Sequence, residues 1–232
     1  DYRVQLLITD AEGLEHAAGA FPLTNVWHPS STWQPGQAWR GQNTWRLPIK
    51  VAPGEARLGV QLLGRDGEAA GPLVDLTTVE VLPTTRVFEA PRPQISREVN
   101  FDDRIVLLGA DLEPDPVSRG QGLRVILYWQ ALAEMDIPYT VFAHILGPDG
   151  HVVSGSDSQP VSGSRPTTGW LPGEYVADTH LITVPGDLEP GPYVVEVGLY
   201  DAGIPSMPRL LILDDEGEVE GDRVIFGPAE VQ

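Results

Sequence analysis

Apolar residues recur along this chain in short runs, many of them β-branched, each closed off by Pro, Gly or Asp. Alternation is clearest in Tyr193-Val194-Val195-Glu196-Val197-Gly198-Leu199-Tyr200, where Tyr193, Val195, Val197 and Leu199 fall on one face of a strand. The same reading predicts strands near Arg104–Leu108, Leu123–Ala131, Tyr139–Ile145, His151–Ser154, Tyr175–Val184, Leu210–Leu213 and Arg223–Val231. In the first half it predicts strands near Tyr2–Ile8, Ala38–Leu47, Ala56–Leu63 and Val74–Leu82. Asp66-Gly67 and Asp149-Gly150 are hairpin-type turn signals. Only Gln130–Met135 has a helical flavour, and it is too short to matter. The pattern predicts an all-β protein built as antiparallel β-sandwich, immunoglobulin-like or jelly-roll; it does not choose between the two.

Shifted by 137 residues, the chain matches itself without a gap for over sixty positions. Pro29-Ser30-Ser31-Thr32-Trp33 falls on Pro166-Thr167-Thr168-Gly169-Trp170, and Pro35-Gly36 on Pro172-Gly173. Pro48 falls on Pro185, Pro53-Gly54 on Pro190-Gly191, and Leu58, Val60 and Leu62 on Val195, Val197 and Leu199. An insertion around Asp201–Asp222 follows in the second copy, after which Val79-Glu80-Val81 meets Ala229-Glu230-Val231. The pattern therefore predicts two copies of one module: a first in 1–83, a linker in 84–100 rich in Pro and polar residues, and a second in 101–232. Phe101–Ile137 has no counterpart before Tyr2, so the first copy is expected to lack its opening strands. That leaves an apolar face or a bare strand edge, to be covered by the linker, by the second copy, or by a second chain in a homodimer.

Composition narrows the function classes. At 41% hydrophobic the chain can bury cores despite 22 prolines and 25 glycines. A net charge of −18, with Lys50 the sole lysine, argues against nucleic acid and anionic membrane as partners. With no cysteine there is no disulfide, thiol chemistry or thiolate metal site. No run of 18 apolar residues exists, so no membrane insertion by this stretch of chain is expected. Asp1-Tyr2-Arg3-Val4 is not a signal peptide and falls inside a strand pattern, as expected of a fragment or mature piece.

Several segments carry a resemblance. They are Val99-Asn100-Phe101-Asp102-Asp103-Arg104 with Leu107-Leu108-Gly109, Leu127-Tyr128-Trp129-Gln130-Ala131, and Tyr139-Thr140-Val141-Phe142-Ala143-His144. Asp157-Ser158-Gln159-Pro160, Trp170-Leu171-Pro172-Gly173-Glu174 and Gly191-Pro192-Tyr193 leading to Gly198-Leu199-Tyr200-Asp201 complete the set. Together they resemble the C-terminal, externally exposed module of multi-pass glycosyltransferase-like membrane proteins of the dolichyl-phosphate-mannose mannosyltransferase type in Chloroflexus-like bacteria. The resemblance covers nearly all of the second copy and the first more weakly. It implies an extracellular or cell-surface β-sandwich and does not imply catalysis, since the transferase chemistry of such proteins would lie in a membrane part outside this sequence. No cofactor is expected. The first copy departs at Gly41 for Asp178 and Asn43 for His180.

Three candidate sites emerge. Trp27, Trp33, Trp39 and Trp45 lie within nineteen residues, four of the chain's six tryptophans. Trp39 and Trp45 are six apart in an expected strand, hence on one face, with Arg40, Gln42, Asn43 and Arg46 nearby. Rings on a sheet suit the C–H faces of sugars, and amides and guanidinium suit their hydroxyls, so Trp39, Trp45, Arg40 and Asn43 form a candidate carbohydrate site. Against it, Trp39 and Trp45 replace Val176 and Ile182, which read as core, and Trp33 matches Trp170 as a structural corner. His144, Asp157, Asp178 and His180 form a candidate polar cluster in the second copy, the basis of an alternative reading as a carbohydrate-active hydrolase; strand-end hydrogen bonding is the competing account. Asp214, Asp215, Glu216 and Asp222 are a weak cation candidate in an acidic stretch that otherwise reads as a solvated hairpin tip. The leading expectation is a non-catalytic surface region that binds carbohydrate or protein, or spaces other domains.

Overall fold

A computed structural model describes residues 1–25 and 27–232. Strand occupies 47% of the chain and helix 3%, in three antiparallel sheets with no barrel. The chain divides into two compact units, Asp1–Thr85 and Arg86–Gln232.

The second unit is a two-sheet sandwich. Its strands are β5 (Ile95–Phe101), β6 (Ile105–Glu113), β7 (Gly122–Ala131), β8 (Thr140–Leu146), β9 (Val152–Ser158), β10 (Tyr175–Thr183), β11 (Gly191–Tyr200), β12 (Ile212–Leu213), β13 (Val219–Gly221) and β14 (Val224–Val231). One sheet has the order β10-β7-β6-β5-β12-β13 and the other β14-β11-β8-β9. Alternation puts Leu123, Val125, Leu127 and Trp129 of β7 inward, against Val195, Val197 and Leu199 of β11, all at 0–1% exposure in a single core. Burial of this apolar surface is the main stabilising term.

The first unit contains β1 (Arg3–Thr9), β2 (Glu15–Pro22), β3 (Gly54–Leu63) and β4 (Val74–Val81), a single sheet ordered β2-β1-β3-β4. This order matches β9-β8-β11-β14, strand for strand at the sequence offset of 137 on the first three. The short 3-10 turn Ser30–Thr32 likewise matches Thr167–Gly169. Each turn ends in a tryptophan whose indole N–H donates to a carbonyl five residues back: Trp33 to His28 at 3.1 Å and Trp170 to Arg165 at 2.8 Å. Among the described residues the first unit has no facing sheet. Its buried cluster is Ile8, Ala56 and Val81, with Trp45, Val51, Leu58 and Val79 packed on it.

Two expectations need correction. Ala38–Leu47 is not a strand. Its counterpart β10 is held by nine cross-strand pairs to β7, from Tyr175–Gln130 to Thr183–Gly122, and the first unit has no strand equivalent to β7. Without that partner the backbone groups have no ladder to join, and the segment stays irregular. The linker is also shorter than 84–100. Tyr175 donates its backbone N–H to the Val87 carbonyl at 2.8 Å, and Ile95–Phe101 is strand β5. That strand escaped the pattern because only its last residue, Phe101, is fully buried, so Ser96-Arg97-Glu98 reads as linker composition. β2 escaped for a similar reason: Glu15-His16-Ala17-Ala18-Gly19-Ala20 has no β-branched residue and lies at a sheet edge.

No helix among the described residues is long and apolar enough to cross a membrane.

Candidate functional site

The irregular segment that replaces a strand in the first unit lines a cleft at the surface. Residues Arg40, Gly41, Gln42 and Asn43 come together with Pro22, Thr24 and Asn25 around a cleft of about 330 Å³. Gly41 makes this approach possible. A Cβ at this position would collide with the Leu23 carbonyl oxygen, so only glycine lets the two backbone stretches close on one another. Asn25 is oriented from within its own turn: its side-chain oxygen accepts the Trp27 backbone N–H at 3.1 Å and lies 3.3 Å from His28 Nδ1. The Thr24 hydroxyl donates to the His28 carbonyl.

The aromatic residues divide between surface and core. Trp39 is 40% exposed and Trp27 82% exposed. Trp39 lies over His28, ring centroids 4.7 Å apart, and stacks on Trp33 at 6.2 Å with a 23° interplanar angle. Trp45 packs instead on Ile8, Ala56 and Val81. Of the four residues expected to form a carbohydrate site, Arg40 and Asn43 therefore line one cleft, and Trp39, next to Arg40 in the chain but outside the cleft lining, stacks with His28 and Trp33. Trp45 belongs to the core. The expected same-face relation of Trp39 and Trp45 fails because it required a strand.

Thr24 and Asn25 were not foreseen. Their only sequence signal is a polar pair just after Pro22, which reads as an ordinary turn.

The polar cluster expected in the second unit does not converge. Cross-strand partners share a face, and Phe142 pairs with Asp157 and Glu196 with His144, on the outer side of the β14-β11-β8-β9 sheet. There His144 Nε2 meets Asp157 at 2.7 Å and Nδ1 meets Glu196 at 3.1 Å. Arg223 donates to the other oxygen of Glu196 at 2.7 Å. Tyr200 donates its hydroxyl to Asp157 at 3.1 Å; burial, then the negative Asp157, pushes the phenol above its ordinary range and keeps it a neutral donor. Asp178 and His180 lie on the inner side of β10, at 0% and 1% exposure. His180 Nε2 is 2.9 Å from Asp178, and its Nδ1 is 3.3 Å from the Ser156 hydroxyl. The second Asp178 oxygen accepts the Val161 backbone N–H at 2.7 Å. This pair fastens the Gln159–Arg165 loop and the β9 edge over the core.

Glu196 and Arg223 were also missed by the sequence reading, since an alternating Val-Glu-Val pattern marks a glutamate as outward and solvated. Here Glu196 is only 2% exposed. In the first unit the equivalents of His144, Asp157, Glu196 and Arg223 are Leu7, Ala20, Gly59 and Leu73. The fold itself does not require the charged set.

The acidic hairpin is not gathered around a point. Asp214 accepts the backbone N–H groups of Glu216 and Glu218 at 2.9 and 2.8 Å, closing its own turn, and Asp222 pairs with Arg209 at 3.2 Å. Among the described residues no three His, Asp or Glu side chains converge as metal ligands.

No protein-family model matches the chain, and no curated protein matches it.

Proposed function

We propose that this chain is a non-catalytic, surface-exposed accessory region of a larger membrane-associated protein, and that it binds carbohydrate through the first unit. The observation that carries the reading is the open cleft in which Arg40, Gln42 and Asn43 meet Thr24 and Asn25, bordered along the chain by the exposed rings of Trp27 and Trp39. Sugars are bound by a few convergent amide, hydroxyl and guanidinium groups that fix orientation, together with an aromatic face that receives C–H groups. Both elements are present in one irregular segment, on the outside of the unit. The resemblance of the second unit to externally exposed modules of glycosyltransferase-like membrane proteins supports a cell-surface location.

The hydrolase alternative rests on Asp157, Asp178 and His180 acting together. Supporting the non-catalytic reading, Asp157 lies on the outer face of the β14-β11-β8-β9 sheet, whereas Asp178 and His180 belong to β10 of the facing sheet and are sealed from solvent.

Titration calorimetry of the whole chain against defined oligosaccharides, chosen from a glycan screen, tests the proposal. Saturable binding is expected, weakened tenfold or more, about 1.4 kcal/mol, by Trp39→Ala or Asn43→Ala with circular dichroism unchanged. Absence of binding across a broad panel, or binding indifferent to both substitutions, removes it.

A further inference from the structure

The second unit shows what the first one lacks. In the sandwich, Val141, Val195 and Val197 are 0% exposed and Val224 2%, because β6 and β7 lie over them. Their counterparts in the first unit are Val4, Leu58, Val60 and Val74. Trp45 and Val51 reach the end of that sheet near Ile8, Ala56 and Val81. Past Leu58 the face opens: Val4, Val60 and Leu62 are half-buried and Val74 is 52% exposed. Leu76, at the β-bulge that interrupts β3–β4 pairing, is 56% exposed. An apolar sheet face of this kind is a protein-binding surface rather than a stable solvent boundary.

We propose that this open face binds an antiparallel β-meander with an alternating apolar side, of the kind that Ile95–Ala131 forms in the second unit. The choice of occupant rests on the repeat. Sheets with the same strand order and matching inward residues present the same relief, and the sheet that covers this relief in the second unit has the β5-β6-β7 meander at its centre, carrying Leu107, Leu123, Leu127 and Trp129 inward. Sheet-on-sheet packing at about 10 Å needs such an interdigitating apolar layer. A meander in this place also supplies a partner strand for Ala38–Leu47, as β7 does for β10. The segment that is irregular in the first unit is thus the one that gains a ladder when the face is filled, so the filled face and the cleft at Arg40–Asn43 are alternative states of the first unit.

The test is a whole chain carrying a second copy of residues 95–137 joined ahead of Asp1, the register at which Ile137-Pro138-Tyr139 aligns with Tyr2. Hydrogen exchange followed by mass spectrometry is compared with the unextended chain, with β8 and β11 as an internal control for correct folding. Amides in β1, β3 and 38–47 are expected to slow at least tenfold, and the added segment to be protected. The same extension carrying Asp in place of its copies of Leu127 and Trp129 is expected to give neither effect. The proposal is overturned if the intact extension exchanges as unfolded chain while β1 and β3 are unchanged. It is equally overturned if the unextended chain sediments as a dimer that Val74→Asp converts to monomer, since the occupant is then a second copy.

Discussion

Trp129 and Trp170 are both 0% exposed, yet their indole N–H groups are in different states. Trp170 donates to the Arg165 carbonyl at 2.8 Å, whereas Trp129 Nε1 has no partner and its ring lies edge-on to Phe101 at 6.0 Å. A buried donor without a partner carries a desolvation cost, and removing it with its ring partly refunds the loss of packing. Trp170→Phe also takes the indole donor away from the Arg165 carbonyl. Trp170→Phe is therefore expected to destabilise the second unit by about 1–2 kcal/mol more than Trp129→Phe, measured by urea denaturation. Equal costs would mean that volume alone decides both positions.

At the scale of elements, one stretch of sequence has two fates. Tyr175–Thr183 is a strand since β7 offers it a ladder, and the aligned 38–46 is a loop since nothing does. Within the loop, Gly41 makes a close approach to the Leu23 carbonyl. Gly41→Ala forces the 40–43 backbone away from Leu23 and opens the cleft. Oligosaccharide affinity is expected to fall at least tenfold, while the urea midpoint of the sheet, whose core is Ile8, Ala56 and Val81, moves little. Retained affinity in Gly41→Ala would separate sugar binding from this cleft.

Across the whole molecule the two units differ in how much they bury. The second has a continuous core between two sheets; in the first the buried cluster is Ile8, Ala56 and Val81, with four partly buried residues packed on it. Unfolding is expected in two steps, the first unit melting at lower urea. Fluorescence can assign them, since Trp27, Trp33, Trp39 and Trp45 report the first unit and Trp129 and Trp170 the second. Asp10 makes the first step acid-sensitive. The His16 imidazole at 2.7 Å and the backbone N–H groups of Ala52, Leu14 and Glu12 outweigh partial desolvation and hold its carboxyl at about 2, below the ordinary 3.8. A carboxyl lowered by folding adds stability that is complete above its unfolded value and lost as pH falls through its folded one. The gap between wild type and Asp10→Asn in the first transition is therefore expected to be full at neutral pH and to shrink from near pH 4 down to pH 2. A gap independent of pH would assign Asp10 a purely geometric role.

Alternation, turn residues and the internal repeat by themselves determined the all-β class and most strand positions. Those signals are local: side chains alternate with period two, and Pro, Gly and Asp break strands wherever they fall. The candidate cleft was half legible, Arg40 and Asn43 being foreseen and Thr24 and Asn25 not. What tertiary structure alone decided was which residues meet. Whether 38–47 is strand or loop depends on a ladder partner far away in sequence. Trp45 turned inward because the missing sheet left room above Ile8 and Ala56. His144 and His180, both on expected strands, ended in different sheets, one facing outward and the other into the core, because strand pairing and register, invisible in one sequence, set each residue's face.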